Sequence, residues 1–429
     1  MDIASEQNSY NDNTTGMEVE EKSRIDLAFL CLCAFALLRP LLSVKFFSGI
    51  GILGLNIFEL FSVGISYILI VATIYCVARA RTFRFDVANL IAMLFCLYLL
   101  STNLVGSSIR ESIRLVLPIF ILFAVRAIVK NEKQIITLLL LSIISYIIPL
   151  IGSAWLILLG KSIGKTIYQT GLVRYEGMYL KIHTLAHCMF IFLFIFLYYL
   201  TLCKEKLKTR RGLLFFLLFL CICSLFCLFK SYTRNVWIGL FILLIFYFIG
   251  RRNYIVLIGI VIGAIAVIVM SEQVQTYFFD IIEPLRGERE IRHLGAGRFG
   301  MWTKIIHDFG KLPFEMKLLG VGIGAVYQGF EISRGHNDFI SLLYTAGIMG
   351  LIIYVMFLLV MLYDILKSRL ETSIKYLFLG FLTAVIFMNM ASNSYLSRIE
   401  IGQYFYFIIG TFYILNDLKT MNKESFNHS

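Results

Sequence analysis

Long apolar stretches are the feature that most limits how this chain can fold. Hydrophobic residues occupy 59% of the 429 positions and charged residues only 15%. The stretches repeatedly reach the roughly 20 residues that a helix needs to cross a bilayer. Backbone polar groups in lipid must be satisfied internally, and these stretches are continuous and not alternating, so they indicate a helical bundle. The composition excludes a soluble protein and predicts an all-α polytopic membrane protein.

About twelve segments of the chain are predicted to span the membrane. They lie at 27–44, 50–78, 87–105, 112–129, 135–159, 183–202, 212–229, 235–250, 254–270, 336–363, 374–392 and 400–416. Clusters of lysine and arginine fall in the connections that follow even-numbered segments. Because such clusters stay on the cytoplasmic side, both termini and these connections are predicted to be cytoplasmic.

This topology divides the chain into tails, spans and one large loop. The predicted parts are a cytoplasmic tail (1–26), transmembrane helices 1–9 (27–270), a large loop on the far side (271–335), transmembrane helices 10–12 (336–416) and a second cytoplasmic tail (417–429). The loop includes a predicted amphipathic helix near 298–310, and a helix of this kind is expected to lie on the membrane surface. Its apolar residues recur at helical spacing and are Phe299, Trp302, Ile305, Ile306 and Phe309.

The sequence offers little sign of a metal or nucleotide site. Nearly all of the nine cysteines lie within or at the ends of apolar segments, where cysteine behaves as a small hydrophobe. Cys221 and Cys223 have no accompanying histidines, so no metal site is predicted. No nucleotide-binding glycine loop is visible, and the energy for any reaction is therefore expected to come with its substrate or from a gradient.

The formal net charge of +12 is only partly explained by topology. Cytoplasmic lysines and arginines follow from the positive-inside rule. Other cations are predicted on the far side, although those in the large loop carry less weight because a long loop is translocated whatever its charge. These cations are Arg174, Lys181, Lys230, Arg234, Arg286, Arg289, Arg292, Arg298 and Arg334. Together they indicate a surface that receives an anion.

A polar cluster closes the large loop and leads directly into an apolar segment. It reads Arg334-Gly335-His336-Asn337-Asp338. Anchoring a helix in lipid does not call for an imidazole beside an amide, a carboxylate and a guanidinium. The competing interpretation is that His336 only begins a helix and that Asp338 caps it.

The spacing of this cluster matches a family motif. His336-Asn337, nine further residues and then Gly347 to Gly350 satisfy the pattern H-[NSQ]-x9-G-x-x-G. With Thr233-Arg234 at a span end and the Gly-Arg-x-x-x-Trp element at 297–302, the chain resembles the O-antigen ligase and O-antigen polymerase family of bacterial membrane glycosyltransferases. The similarity in layout covers nearly the whole chain, while the motifs occupy about 230–350.

The resemblance implies glycosyl transfer at the periplasmic face of the bacterial inner membrane. In this family, an oligosaccharide on undecaprenyl diphosphate is passed to an acceptor sugar hydroxyl. The acceptor is the lipid A-core in a ligase and a lipid-linked repeat unit in a polymerase, and the sequence does not separate the two. The resemblance implies no metal and no cofactor, and no nucleic-acid partner is expected.

The chemistry of that reaction assigns roles to particular residues. A sugar hydroxyl needs a base with a pKa near the working pH, which makes His336 the candidate general base. Guanidinium groups bind phosphate through paired hydrogen bonds, so Arg234 and Arg298 are the candidate diphosphate clamp. Arg174 and Arg334 are secondary candidates for the clamp. The supporting motif residues are Asn337, Asp338, Gly347 and Gly350, with Asp338 expected either to orient His336 or to cap its helix.

Other charged residues inside the spans allow a second interpretation. Charged side chains facing lipid are costly, so these residues are expected to face the bundle interior or a watery cavity. They are Arg39, Glu59, Arg110, Glu111, Arg114, Arg398 and Glu400. Arg398 and Glu400 are expected to pair with each other, and Arg110 or Arg114 to help hold a carrier phosphate. Buried charges among many spans also suit a polysaccharide flippase or a secondary transporter, although no duplicated halves are visible.

Overall fold

A computed structural model describes most of the apolar segments of the protein. It covers residues 27–48, 51–52, 55–80, 86–102, 109–161, 165–167, 173–179, 181–271, 274–275, 298–323, 326–327, 330–331, 336–392, 395–396 and 398–427. Arg334 and about half of the predicted large loop lie outside the described residues, as do the side chains of Glu59 and Arg110.

Helices dominate the described part of the chain. They are α1 (Leu27–Leu42), α2 (Lys45–Ser48), α3 (Ile57–Ala80), α4 (Val87–Ser101), α5 (Ile109–Ile128), α6 (Glu132–Leu158), α7 (Ile182–Leu202), α8 (Lys204–Thr209), α9 (Arg211–Ser231), α10 (Arg234–Gly250), α11 (Tyr254–Met270), α12 (Arg298–Gly310), α13 (Phe314–Leu319), α14 (Asp338–Lys367), α15 (Thr372–Ala391) and α16 (Ile399–Asn427). Every predicted span overlaps one of these helices, although the span predicted at 50–78 begins with two short strands and its helix starts at Ile57.

The lengths of the helices suit a membrane. Within the described residues, α6, α7, α9, α14 and α15 are long and apolar enough to cross a bilayer, and α1, α4, α10 and α11 are apolar but shorter. These helices bear out the prediction of an all-α membrane protein, whereas the number of spans stays a prediction. The predicted helix near 298–310 is present as α12, which packs against α14 and buries Ile305.

Short strands interrupt the all-helical pattern in three of the connections that are described. Gly51–Ile52 pairs antiparallel with Leu55–Asn56, Lys165–Ile167 with Val173–Tyr175, and Val326–Tyr327 with Phe330–Glu331. We name these strands β1 to β6 in chain order. In the middle hairpin Thr166 lies opposite Arg174, which places that arginine on β4.

Glycines let the main helix pairs approach closely. A Cβ on Gly239 of α10 would lie 2.9 Å from the sulfur of Met388 on α15, and one on Gly380 would lie 2.7 Å from Cβ of Phe246. Small residues at such interfaces allow the tight packing that holds helices together in lipid. α7 is the most buried of the long apolar helices: 78% of the residues in its most apolar stretch are buried within the protein. It therefore lies near the centre of the bundle.

The helix α14 is broken, although the sequence predicts one continuous span over 336–363. Gly347 has φ 68° and ψ −174°, a conformation essentially restricted to glycine. The backbone amides of Val321 and Gly322 donate to the carbonyl oxygens of Tyr344 and Thr345 at 3.1 and 3.0 Å. These donors replace helical hydrogen bonds that the break removes.

The break follows from close packing of the loop after α13. A Cβ on Gly347 would overlap the carbonyl oxygen of Leu318 and would lie 2.5 Å from the amide nitrogen of Gly320. The hydroxyl of Tyr98 donates to the carbonyl oxygen of Ala346 at 2.6 Å, which satisfies another acceptor at the break. The result is a short half-helix, residues 338–346, that positions the polar cluster at its beginning.

An ionic cluster connects four helices at a position remote in sequence from His336. Arg126 of α5 forms an ion pair with Asp86, donates to Oδ1 of Asn89 at 2.9 Å and lies 4.3 Å over the ring centroid of Tyr413 on α16. Tyr413 in turn donates to Oδ2 of Asp364 on α14 at 2.8 Å. Asp86 also caps α4 by accepting from the Asn89 amide. This cluster fixes α4, α5, α14 and α16 relative to one another.

Arg126→Ala is expected to destabilise the fold by about 2 kcal/mol. Removing one partner of a buried ion pair costs about 3–5 kcal/mol, and the partial exposure of the Asp86 side chain (38%) reduces that cost. Thermal denaturation in one fixed detergent measures the effect. Lys208→Ala is the control, because it breaks an exposed pair with Glu205 and should leave the melting temperature unchanged. Equal melting temperatures for the two variants would contradict the assigned role of Arg126.

Candidate active site

His336 stands at the start of the half-helix in a strained conformation. Its φ is 52°, in the left-handed region that non-glycine residues rarely adopt. Such backbone strain costs on the order of 1–3 kcal/mol and is found mainly at functional sites. The imidazole is partly buried, and its Nδ1 atom finds no hydrogen-bond partner among the described residues.

Asn337 holds this conformation in place. Its Oδ1 accepts from the backbone amides of Phe339 and Ile340, both at 3.0 Å, so Asn337 is the N-cap of α14. Its Nδ2 donates to the carbonyl oxygen of Met390 near the end of α15 at 2.8 Å. The motif asparagine therefore ties the half-helix to α15 and fixes the direction in which His336 points.

Asp338 is buried and bonds to a different segment. Its Oδ2 accepts from the backbone amide of Leu396 at 3.3 Å. The same turn is held by Asn389, whose Oδ1 accepts from the Tyr395 amide at 3.1 Å. Of the two roles expected for Asp338, capping belongs to Asn337, and Asp338 anchors the turn that leads into α16.

Arg298 reaches the same end of α15. Its Nη1 donates to the carbonyl oxygen of Ala391 at 2.6 Å, one residue after the carbonyl that Asn337 contacts. Because α12 begins at Arg298, the guanidinium lies at the base of the amphipathic helix and beside His336. The two elements that the sequence singled out, 297–302 and 336–350, therefore meet in space.

Arg234 and Arg174 meet at a tight corner between α9 and α10. Tyr232 takes a left-handed conformation with φ 48°, and Arg234 begins α10 two residues later. Arg174 is buried, and it donates from Nε to the Ser231 carbonyl oxygen at 3.0 Å and from Nη2 to the Thr233 hydroxyl at 3.3 Å. Arg174 therefore braces the corner that carries Arg234.

His183 and Arg398, which the sequence did not assign to the site, also belong to this region. The ring of His183, in the first turn of α7, has its centroid 6.3 Å from that of His336. Arg298, Arg174 and Arg398 all lie within electrostatic range of His183. Arg398 directly precedes α16, on the turn anchored by Asp338. Arg174, Arg298 and Arg398 thus all lie near His183, at one end of the bundle.

The expected pairing of Arg398 with Glu400 is wrong. The structure describes both residues and shows no ion pair between them, and Glu400 acts electrostatically on the buried Arg39 of α1. Arg398 directly precedes α16 and Glu400 lies in its first turn, and side chains two residues apart at a helix start do not face each other.

The cations around His336 oppose its protonation. Burial, together with the positive charges of Arg298 and Arg398, lowers the pKa of His336 to about 4. The imidazole is therefore neutral at physiological pH in the empty site. An unperturbed histidine would titrate near 6.5, so the ordinary value expected from sequence does not apply to this environment.

The candidate metal ligands in this region do not cluster. Among the residues that the structure describes, no group of three or more histidine, cysteine, aspartate or glutamate side chains is arranged to hold a metal ion. Metal independence stays a prediction. Arg334, a secondary candidate for the clamp, lies outside the described residues.

Fold and site together define a helical membrane protein with a neutral histidine and several guanidinium groups gathered at one end of the bundle. Residues 219–355 match a family model described as O-antigen ligase. This match supports the resemblance of the motifs to the O-antigen ligase and polymerase family. The match includes Arg234, Arg298 and His336. No curated protein matches the chain.

Proposed function

We propose that this protein is a glycosyltransferase of surface polysaccharide synthesis. Its donor is an oligosaccharide on undecaprenyl diphosphate, and its acceptor is a sugar hydroxyl of the lipid A-core or of a lipid-linked repeat unit. The site faces the periplasm from the bacterial inner membrane, with both termini in the cytoplasm. The observation that carries this proposal is the position of Arg298 beside His336 within the O-antigen ligase domain.

In the proposed reaction His336 acts as the general base. The acceptor hydroxyl oxygen attacks the anomeric carbon of the donor sugar as its proton passes to the imidazole. The bond between that carbon and the phosphate oxygen breaks, and undecaprenyl diphosphate leaves with the electron pair. The energy is already stored in the broken linkage, so the step needs no nucleotide.

The arginines serve the leaving group. Negative charge collects on the diphosphate as the bond breaks, and guanidinium groups stabilise it through charge-assisted hydrogen bonds. Arg234 and Arg298 form the proposed clamp, with Arg334 as a secondary member. Arg174 supports the clamp indirectly, because it braces the corner that carries Arg234.

Donor binding is proposed to activate the base. A histidine with a pKa of about 4 is a weak base at neutral pH. The diphosphate brings negative charge next to Arg298, and a nearby anion favours the protonated imidazole. The pKa of His336 therefore rises when the donor binds, which limits proton abstraction to the loaded enzyme.

This arrangement predicts a difference between two pH profiles. The free enzyme keeps His336 neutral above its pKa of about 4, so kcat/KM for the donor should be flat from roughly pH 5.5 to 8. In the complex with the donor, the pKa of His336 is higher than in the free enzyme. As the medium is acidified, kcat should therefore begin to fall at a higher pH than kcat/KM does. Initial rates at limiting and saturating donor measure the two profiles. A kcat/KM profile that falls below about pH 6.5, as for an unperturbed histidine, would contradict it.

A transfer assay with purified protein tests the proposed function. The protein in nanodiscs is given a lipid-linked oligosaccharide together with either lipid A-core or a second lipid-linked repeat unit. A product with the first acceptor identifies a ligase, and a longer lipid-linked chain with the second identifies a polymerase. If neither product forms, while liposomes containing the protein move the donor between leaflets intact, the protein is a flippase and the proposal fails.

A further inference from the structure

Arg398 and His183 stand beside the proposed base but outside the region that matches the family. That region covers residues 219–355, so His183 precedes it and Arg398 follows it. Their proximity to His336 rests on geometry: the ring centroids of the two histidines are 6.3 Å apart, and the turn before Arg398 is bonded to Asp338, two residues after His336. The site is therefore larger than the matched motifs.

Polar atoms of both residues are buried without a hydrogen bond. Nη1 of Arg398 and Nδ1 of His183 find no partner within the part of the chain that the structure describes. Leaving a buried donor unsatisfied is costly, and most such groups in proteins are paired. The same holds for Nδ1 of His336. Three buried polar atoms in one small region therefore have no hydrogen-bond partner among the described residues and could bind a ligand.

Arg398 also differs from the structural arginines of this protein. Arg126 forms an ion pair with Asp86, and Arg174 donates twice to the corner at 231–233. Arg398 makes no ion pair among the described residues, yet its charge acts on His183, His187 and His336. A partly buried guanidinium without a carboxylate partner is suited to bind an anion from outside the chain.

The geometry points to a further anion-binding position, formed by Arg398 and His183, that takes a phosphate group of the prenyl diphosphate donor. This inference rests on the proposed function. The guanidinium offers paired N–H donors to the phosphate oxygens, and the imidazole offers one more N–H. The charges of Arg298 and Arg398 both act on His336, so the two phosphates of one donor would be held by these two arginines together.

A diphosphate fits this position better than a single carboxylate. The carboxylate of an acidic sugar carries one negative charge, which one guanidinium would compensate. Arg298 and Arg398 are both close enough to act on His336, and no described acidic side chain pairs with Arg398. A ligand with more than one negative charge matches this excess of positive charge.

Binding of farnesyl diphosphate, a soluble prenyl diphosphate, tests the inference. Isothermal titration calorimetry on the full-length protein in detergent compares the wild type with Arg398→Gln, Arg398→Lys and His183→Leu. We expect Arg398→Gln to weaken binding at least about 10-fold, and Arg398→Lys to weaken it less because its charge remains. Arg211→Gln is the matched control: it removes an exposed cation at the start of α9 and should bind within about 2-fold of the wild type.

The outcomes separate this inference from the proposed function. If the wild type binds farnesyl diphosphate and both Arg398 variants bind equally well, Arg398 is not part of the donor site and the inference is overturned. If the wild type binds farnesyl monophosphate as tightly as the diphosphate, the site takes one phosphate and the inference also fails. If the wild type binds neither, the donor class is wrong and the proposed function itself fails. Melting curves of each variant show that it is folded, and Arg398→Lys keeps the test valid if Arg398→Gln does not fold.

Discussion

His336→Asn is expected to slow glycan transfer by about 100-fold to 10,000-fold, the usual contribution of a general base. Asparagine tolerates the left-handed backbone that residue 336 adopts with φ 52°, so the substitution removes the base without adding strain. Single-turnover transfer of a labelled oligosaccharide measures the effect. Because the arginines remain, donor affinity should change by less than about 3-fold.

His307→Asn provides the matched control for this prediction. His307 lies on α12, close in sequence to Arg298, but its side chain is 68% exposed and lies beside Asp308. Its transfer rate should equal that of the wild type. If His336→Asn retains more than about a tenth of the wild-type rate, His336 is not the base.

Gly347→Ala is expected to destabilise the protein by about 3 kcal/mol or more. A Cβ at this position would overlap the Leu318 carbonyl oxygen, a backbone atom that cannot move aside, and the positive φ adds strain. The estimate combines about 1–2 kcal/mol for the backbone conformation with about 1–3 kcal/mol for overpacking. The measurement is thermal denaturation of purified protein, together with its yield in the membrane fraction.

Gly259→Ala shows whether the effect of Gly347→Ala is specific. Gly259 lies within α11, where a Cβ would meet nothing within 4 Å. Alanine favours a helix over glycine by about 1 kcal/mol, so this variant should melt at the same temperature as the wild type or higher. Equal melting temperatures for the two variants would show that the break at Gly347 is not required for stability.

The sequence predicted the helices but not the break in α14. Continuous apolar runs of suitable length form helices in lipid, and each predicted span overlaps a helix. Gly347 lies in such a run, where an isolated glycine is usually tolerated within a helix. The cause of the break is the backbone at Leu318 and Gly320, which lies far from Gly347 in sequence. The local sequence around Gly347 does not predict that contact.

The site was predicted in part, and the part that was missed has a physical explanation. The spacing of His336, Asn337 and Gly347 matched a family motif, and the motif residues do lie together with Arg298. Arg398 was assigned to a pair with Glu400, although Arg398 precedes α16 and Glu400 lies two residues later, where the two side chains do not face each other. The start of α7 just after a basic loop was the available signal for His183. Its contact with His336 depends on tertiary packing and could not be read from the chain.

The pKa of His336 could not have been predicted from sequence either. Its low value depends on burial and on two arginines that lie far from it in the chain, Arg298 and Arg398. A sequence motif identifies the type of base but not the charges that surround it. The pH behaviour proposed for the enzyme therefore comes from the three-dimensional arrangement alone.

The most direct test follows both halves of the donor in one reaction. Purified protein is supplied with a lipid-linked oligosaccharide labelled in the sugar and in both phosphates, together with an acceptor. We expect the sugar label to move to the acceptor and undecaprenyl diphosphate to be released with both phosphates, at a rate that falls by at least about 100-fold in His336→Asn. Glycan transfer with His336 as the base is ruled out if both labels stay on one molecule in the wild type, or if His336→Asn transfers sugar as fast as the wild type.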